Sequence, residues 1–341
     1  MKFIKAIAFT FILSLFSGSL IAKVKLASPF GDHMVLQRNT LVPIWGTASP
    51  GEKINLMFKN QKRTIIADDK GSWKTNLNKL KAGGPYTLII SGENTITLND
   101  IYVGEVWICS GQSNLVPFAI RGALWYQGES NSPTASIYKD LMETLITDWR
   151  NQWGQGNFPF IYVQLANIGK AVETIPAKGG AEAIKREAQL QNLSVPNTEM
   201  VVAIDNADPT NQANIHQKNK QEIGRRLALA ARNIVYGEKT TFSGPIYDKM
   251  KIEGNSIRLL FKHTDGGLTA KDNQLKGFAI AGKDMKFVWA NASIEGKTIR
   301  VTSSEIENPV AVRYGWGSNP PTSLYNMANL PASPFRTDTD N

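Results

Sequence analysis

What these 341 residues hold little of already narrows what they can do: one cysteine, three histidines, and no apolar run of membrane-spanning length. Cys109 stands alone, so no disulfide can close within the chain and no cysteine-based metal site can form. It sits in an apolar strand pattern, where a buried, unreactive thiol is expected. Long runs of like charge are also missing. The formal net charge is +9, but basic residues gather only in short clusters such as Lys218, Lys220, Arg225 and Arg226. A solvated basic surface accounts for that, and nucleic acid is not an expected partner. Any chemistry that needs an imidazole base must find it at His33, His216 or His263.

Residues 1–22 place Lys2 and Lys5 before an apolar run over 7–16 and end in small residues at Ala22. That is the pattern of a cleaved secretory signal, too short and too early for a spanning helix. The mature chain is therefore expected to be exported, periplasmic or secreted, with no stable membrane insertion after cleavage. No cysteine follows the signal, so an N-terminal lipid anchor is not expected either.

From 23 to 100, short apolar or alternating runs recur at 41–45, 54–58, 64–67 and 86–90, divided by turn residues such as Ser49, Pro50 and Gly51. Strands so spaced, with no helical stretch between them, predict an N-terminal β-sandwich. His33 beside Asp32 is expected to make no more than a turn hydrogen bond. From 101 to 236, strands and helices alternate, which predicts an α/β domain. Ile137, Leu141, Leu145 and Trp149 recur every four residues, widened by Met142, Ile146 and Trp153, and predict an amphipathic helix over 134–153. Strands follow at 158–165 and 200–204, with helices at 181–193 and 218–235. Residues 237–341 return to strand runs and predict a C-terminal β-rich portion, packed on the α/β domain or on the first sandwich.

Parallel sheets bind ligands at the carboxyl ends of their strands. That rule selects Ser113, the turn 127–130 and the loop 205–216. A serine becomes a good nucleophile when a base takes its proton, most often a histidine steadied by a carboxylate. Ser113 is the candidate nucleophile and His216, at a helix mouth after the rim loop, the candidate base. Asp205, closing a strand, is the preferred orienting acid, with Asp208 the alternative. Main-chain N–H groups near Ser113 and the amides of Gln112, Asn114 and Gln127, beside Gly128, could hold an oxyanion. Glu129 could brace the turn or take part in catalysis.

The segments CSGQSN (109–114), GALWYQGESN (122–131), NFPFIYVQLA (157–166) and IHQKNKQEIGRRLALAA (215–231) resemble the sialate O-acetylesterase family, serine esterases of the SGNH-hydrolase type. So do PFGDHMVLQ (29–37) and the stretch 313–338 near the C-terminus. The resemblance implies an SGNH-like parallel-sheet domain flanked by β-sandwich-like portions. It also implies a Ser-His-Asp triad with no metal or other cofactor, and removal of O-acetyl groups from acetylated sialic acid or other acetylated glycans. Carried over by position, the nucleophile block falls on Gly111, Gln112, Ser113 and Asn114, the second block on Gln127, Gly128 and Glu129, and the base on His216.

Two departures stand out. The family usually reads Asp-Ile-His-Pro around the base, where this chain has Asn214, Ile215, His216 and Gln217, which moves the acid role to Asp205. The family also has a long segment between the two blocks, where here Leu115 follows Asn114 directly. An internal deletion at that point is expected, because a parallel crossover takes about a dozen residues or more, usually with a helix. Two readings follow: an exported O-acetylesterase, or a truncated homologue without catalysis that binds glycans. The oligomeric state is not legible.

Overall fold

Buried and exposed side chains alternate strictly in Lys53–Phe58, where Ile54, Leu56 and Phe58 are buried and Lys53, Asn55 and Met57 exposed. A pleated strand sends successive side chains to opposite faces, so this segment lays one face on a core. The computed structural model describes residues 23–110, 118–170, 176–208 and 210–338, and contacts divide the chain into two units, Met1–Gly104 and Glu105–Asn341.

The described part of the first unit consists of two sheets. Lys25–Leu26, Val42–Thr47 and Ser72–Leu77 form one; Val35–Gln37, Thr95–Gly104, Gly83–Ser91, Lys53–Phe58 and Gln61–Ile66 form the other. Val42, Ile44, Trp73 and Leu77 are buried from the first sheet, and Leu88, Ile90, Ile101 and Val103 from the second. Each sheet thus supplies one apolar face, as a two-sheet core requires. The turn bond expected between Asp32 and His33 is not formed. Asp32 accepts the main-chain N–H of Asn99 at 2.6 Å. With that carboxylate engaged, His33 Nδ1 pairs instead with Asp100 Oδ2 at 2.7 Å, in the open.

The second unit is built on a four-stranded, all-parallel sheet: β1 (Trp107–Ser110), β2 (Gly122–Trp125), β3 (Phe160–Gln164) and β4 (Thr198–Val202), in spatial order β4-β3-β2-β1. Among the described residues three helices serve it, α1 (Tyr138–Trp153), α2 (Ala181–Gln191) and α3 (Lys220–Ile234). All of β3 is buried, as a strand covered on both faces must be. Phe160, Tyr162, Met200 and Val202 join a core with Tyr138, Met142 and Ile146 of α1 and Ala188 of α2. Ile161, Val163 and Val201 point the other way, to Ile223 and Ala230 of α3. The sheet is therefore the middle layer of three.

Two expectations need correction. The buried stripe of α1 is Tyr138, Met142, Ile146 and Arg150, while Ile137 and Leu141 are 49% and 42% exposed. The turn before it, Glu129–Ile137, is 3-10 and contains Pro133, so the α-helix starts at Tyr138. Arg150 can sit on the stripe because its guanidinium donates to the carbonyls of Phe158 at 2.9 Å and Asn197 at 3.1 Å. Gly154, in left-handed backbone at φ 60°, closes the helix with its N–H on the Arg150 carbonyl. Cys109 is the second correction. It is exposed, on the strand at the sheet's edge, where one side has no neighbouring strand among the described residues.

β1 and β2 pair in parallel, Trp107 opposite Gly122 and Ser110 opposite Trp125, although only 111–121 joins them. Beyond residue 236, two antiparallel four-stranded sheets share a core of Ile257, Leu259, Phe278, Ile280, Val301, Tyr314 and Phe335. This part lies in the same unit as the parallel sheet, and Ser333 Oγ accepts from Gln164 Nε2, at the end of β3, at 2.8 Å. Among the described residues no helix is long and apolar enough to cross a membrane, and residues 1–22, read as a signal, lie outside them.

Candidate active site

Four parallel strands end on one rim, and the turns that leave them carry the residues singled out from the sequence. Gln112, Ser113 and Asn114 follow β1 and lie outside the described residues. The turn after β2 is described in full. Gly128 has φ 141°, and a Cβ there would lie 2.5 Å from Tyr138 Oη, so both backbone and space require glycine. Tyr138 Oη donates to the Gln127 carbonyl at 2.8 Å, and Gln127 Nε2 donates to Asn131 Oδ1 at 2.7 Å. Lys185 Nζ, from α2, donates to the carbonyls of Gly128 at 3.1 Å and Glu129 at 2.9 Å and to Ser132 Oγ at 3.0 Å. Glu129 is thus braced through its main chain, while its half-buried carboxylate forms no hydrogen bond or ion pair among the described residues. Burial, and then the Glu129 charge, raise the Tyr126 and Tyr138 phenols well above the usual tyrosine range. Both stay neutral donors.

The loop after β4 holds two carboxylates with different commitments. Asp205 takes a two-pronged contact from Arg226, Nη1 to Oδ1 at 2.7 Å and Nη2 to Oδ2 at 2.9 Å, and accepts from Tyr325 Oη at 3.1 Å. No hydrogen bond joins it to His216 among the described residues. Asp208 is buried and accepts from Thr210 Oγ1 at 2.7 Å, Thr210 N at 2.9 Å and Asn214 Nδ2 at 3.1 Å. These bonds, the Thr210 and Asn214 side chains foremost, hold its carboxyl well below the usual range. Asn214 then grips His216, the candidate base, by its main chain, Oδ1 accepting from His216 N and Nδ2 donating to His216 O, both at 2.9 Å.

The His216 ring itself is exposed and makes no hydrogen bond or ion pair among the described residues. Its neighbour Gln217 is buried, and Gln217 Oε1 accepts from Tyr126 Oη at 2.8 Å. That bond ties the turn after β2 to the loop that carries His216. The other histidines are placed for different work. His33 belongs to the first unit, and His263 lies against the Phe242 ring, where burial lowers its pKa.

A family model described as "Carbohydrate esterase, sialic acid-specific acetylesterase" matches residues 115–233, beginning just after the nucleophile block. Human sialate O-acetylesterase is 30% identical over 246 residues, covering 65% of this chain and 46% of that protein. The mouse enzyme is 31% identical over 241 residues, covering 63% and 44%. The chain thus spans less than half the length of these curated relatives. The crystal structure of a carbohydrate acetylesterase from Xanthomonas citri matches with a TM-score of 0.86 at 28% identity, over 93% of this chain and 100% of that one.

The chain is similar to sialate O-acetylesterases, with the family match falling on residues 115–233. Both family departures around the base acquire a structural role: Asn214 clasps the His216 main chain, and Gln217 reaches Tyr126. Lys185 and Arg186 escaped the sequence reading, because a Lys-Arg pair in a helix normally marks its solvated face. Here both are fully buried.

Proposed function

We propose that this protein is an exported SGNH-type carbohydrate O-acetylesterase that acts on acetylated sialic acid or another acetylated glycan. The observation that carries the reading is the Tyr126–Gln217 bond of 2.8 Å, which joins the family's second block to the base loop on one rim. Ser113 Oγ attacks the acetyl carbonyl while His216 takes its proton. The main-chain N–H groups at Ser113 and Asn114, with the Gln112 and Asn114 amides, stabilise the oxyanion, and one Gln127 N–H remains beside its bond to Asn131. The tetrahedral intermediate expels the sugar oxygen, which takes the proton back from the imidazolium. Water, activated by His216, then cleaves the acetyl-enzyme to acetate and free serine.

Of the two acids, Asp205 is engaged by Arg226 and Tyr325 with no bond to the imidazole among the described residues, whereas Asp208 is already linked to the base loop through Asn214. The proposal therefore gives Asp208 the task of setting the base's position and keeps Asp205 as the anchor of Arg226. Residues 1–22 act in this reading as the export signal, leaving the mature chain in the periplasm or outside the cell.

One observation favours a second reading. The family model matches from residue 115 onward, after the nucleophile block, and β1 and β2 are parallel neighbours joined only by 111–121. A chain that has lost the segment between the blocks can keep the glycan cleft and lose catalysis. Acetate release from an acetylated sialoglycan separates the two. The esterase reading expects release that Ser113→Ala abolishes, and restoring the intervening segment should raise it. Glycan binding with no acetate released from the chain as it stands would establish the second reading instead.

A further inference from the structure

We propose that Lys185 and Arg186 of α2 are positioning residues of the rim, Lys185 fixing the turn 128–132 and Arg186 fixing Leu165 and Ala166 against Gly317 and Ser318. For its catalytic consequence this rests on the esterase reading. Consecutive helical residues project about 100° apart, so one helix can feed two cations into different places. Both side chains are 0% exposed. Lys185 Nζ is 2.8 Å from the Glu182 carboxylate, and its three other acceptors, the carbonyls of Gly128 and Glu129 and Ser132 Oγ, all belong to the turn after β2.

Among the described residues Arg186 has a different set, four carbonyls and no carboxylate: Leu165 at 2.8 Å, Ala166 at 2.6 Å, Gly317 at 2.6 Å and Ser318 at 3.0 Å. A planar fork of five N–H donors suits four carbonyls converging from two segments. The chain of bonds goes on to the base. Ser318 O accepts from Ile168 N at 3.0 Å, and Gly169 N donates to Gln212 O at 2.6 Å, in the loop that carries His216. Lys185 and Arg186 share the buried face of the same helix with Ala183, Ala188 and Gln189. What the two cations add is a fixed position for main chain that has no strand partner to hold it.

A buried cation whose task is purely structural provides the control. Arg150 is 7% exposed and holds the carbonyls of Phe158 and Asn197, at the amino ends of β3 and β4, away from the rim. Lys185→Met, Arg186→Met and Arg150→Met are compared in the full chain by acetate release, thermal unfolding and amide hydrogen exchange. The expected result is a kcat about tenfold or more lower in the two rim variants with KM nearly unchanged, because small misplacements of reacting groups cost rate steeply. Arg150→Met should lose as much thermal stability and keep kcat within about twofold.

Exchange should rise at 127–132 in Lys185→Met and at 165–169 and 317–319 in Arg186→Met. Rim variants whose kcat follows that of Arg150→Met, or whose exchange at these turns is unchanged, overturn the proposal. If the wild-type chain releases no acetate, the esterase reading fails by itself and the exchange pattern decides the positioning claim. Should Lys185→Met not fold, Glu182→Gln, which removes only the carboxylate partner, must show the same exchange change in weaker form.

Discussion

The two units bury different things. Among the described residues of the first unit, Gln37 is the one polar or charged side chain that is buried; in the second they include Arg150, Lys185, Arg186, Asp208, Gln217 and Arg226. A polar group taken out of water destabilises the fold unless partners replace its hydration. In the second unit the partners are largely main-chain groups and carboxylates where the strands end, as with Arg186 on Leu165 and Ala166 or Arg226 on Asp205. Apolar burial is enough for a sandwich. A rim that must keep turns in register needs directional bonds, and buried cations supply them at fixed angles.

The largest effect expected from breaking this contrast is at Arg226, which is 4% exposed and bonded to Asp205, Glu222 and the Val202 carbonyl. Arg226→Met leaves Asp205 without its cation while Glu222 keeps Arg225, and stability should fall by about 3 kcal/mol, read as a lower urea midpoint at constant m. Asp205→Asn keeps an acceptor for Arg226 and Tyr325 and should cost less. If Asp205→Asn instead abolishes acetate release at unchanged stability, Asp205 is the orienting acid and the role given to Asp208 is wrong.

A pH-dependent effect should come from Asp208. Its carboxyl is held below the usual range by Thr210 and Asn214, so the folded state binds this proton less readily than the unfolded chain. The sign follows from linkage. The contribution is fully present above the unfolded value of about 3.9 and is lost as pH falls below it towards the lower folded value. Urea midpoints at pH 7 and pH 3 should therefore differ less in Asp208→Asn than in the wild type. An equal or larger acid loss in the variant would mean that Asp208 is not held this way.

How much of this could be read from the sequence follows the same division. Period-two burial in Lys53–Phe58 and the continuous apolar run of β3 are properties of side chains alone, so strands and layers were legible. The buried face of α1 was misplaced because its stripe runs through Arg150, whose partners are the carbonyls of Phe158 and Asn197. The clasp from Asp208 through Asn214 to His216 spans a few residues and lay within reach of local reasoning. Lys185 and Arg186 did not, since most of their acceptors are main-chain oxygens 20 to 132 residues away, which a string of side chains does not reveal. The short link 111–121 argues from sequence against a parallel pairing of β1 with β2, yet Ser110 opposite Trp125 places the two in parallel register.

The smallest effect should come from the first unit's exposed ion pair. His33 and Asp100 meet at 2.7 Å, but their side chains are 77% and 41% exposed, where a pair gains little against solvent and side-chain entropy. His33 has a left-handed φ of 64°, so alanine would add backbone strain to any loss of the pair. Asparagine tolerates that conformation and removes the imidazole. His33→Asn should therefore shift stability by no more than about 0.5 kcal/mol and leave acetate release unchanged. A larger loss would mean that the first unit, too, relies on a directional polar bond. The contrast between the units would then be one of degree, with Arg226 and His33 at two ends of a single scale.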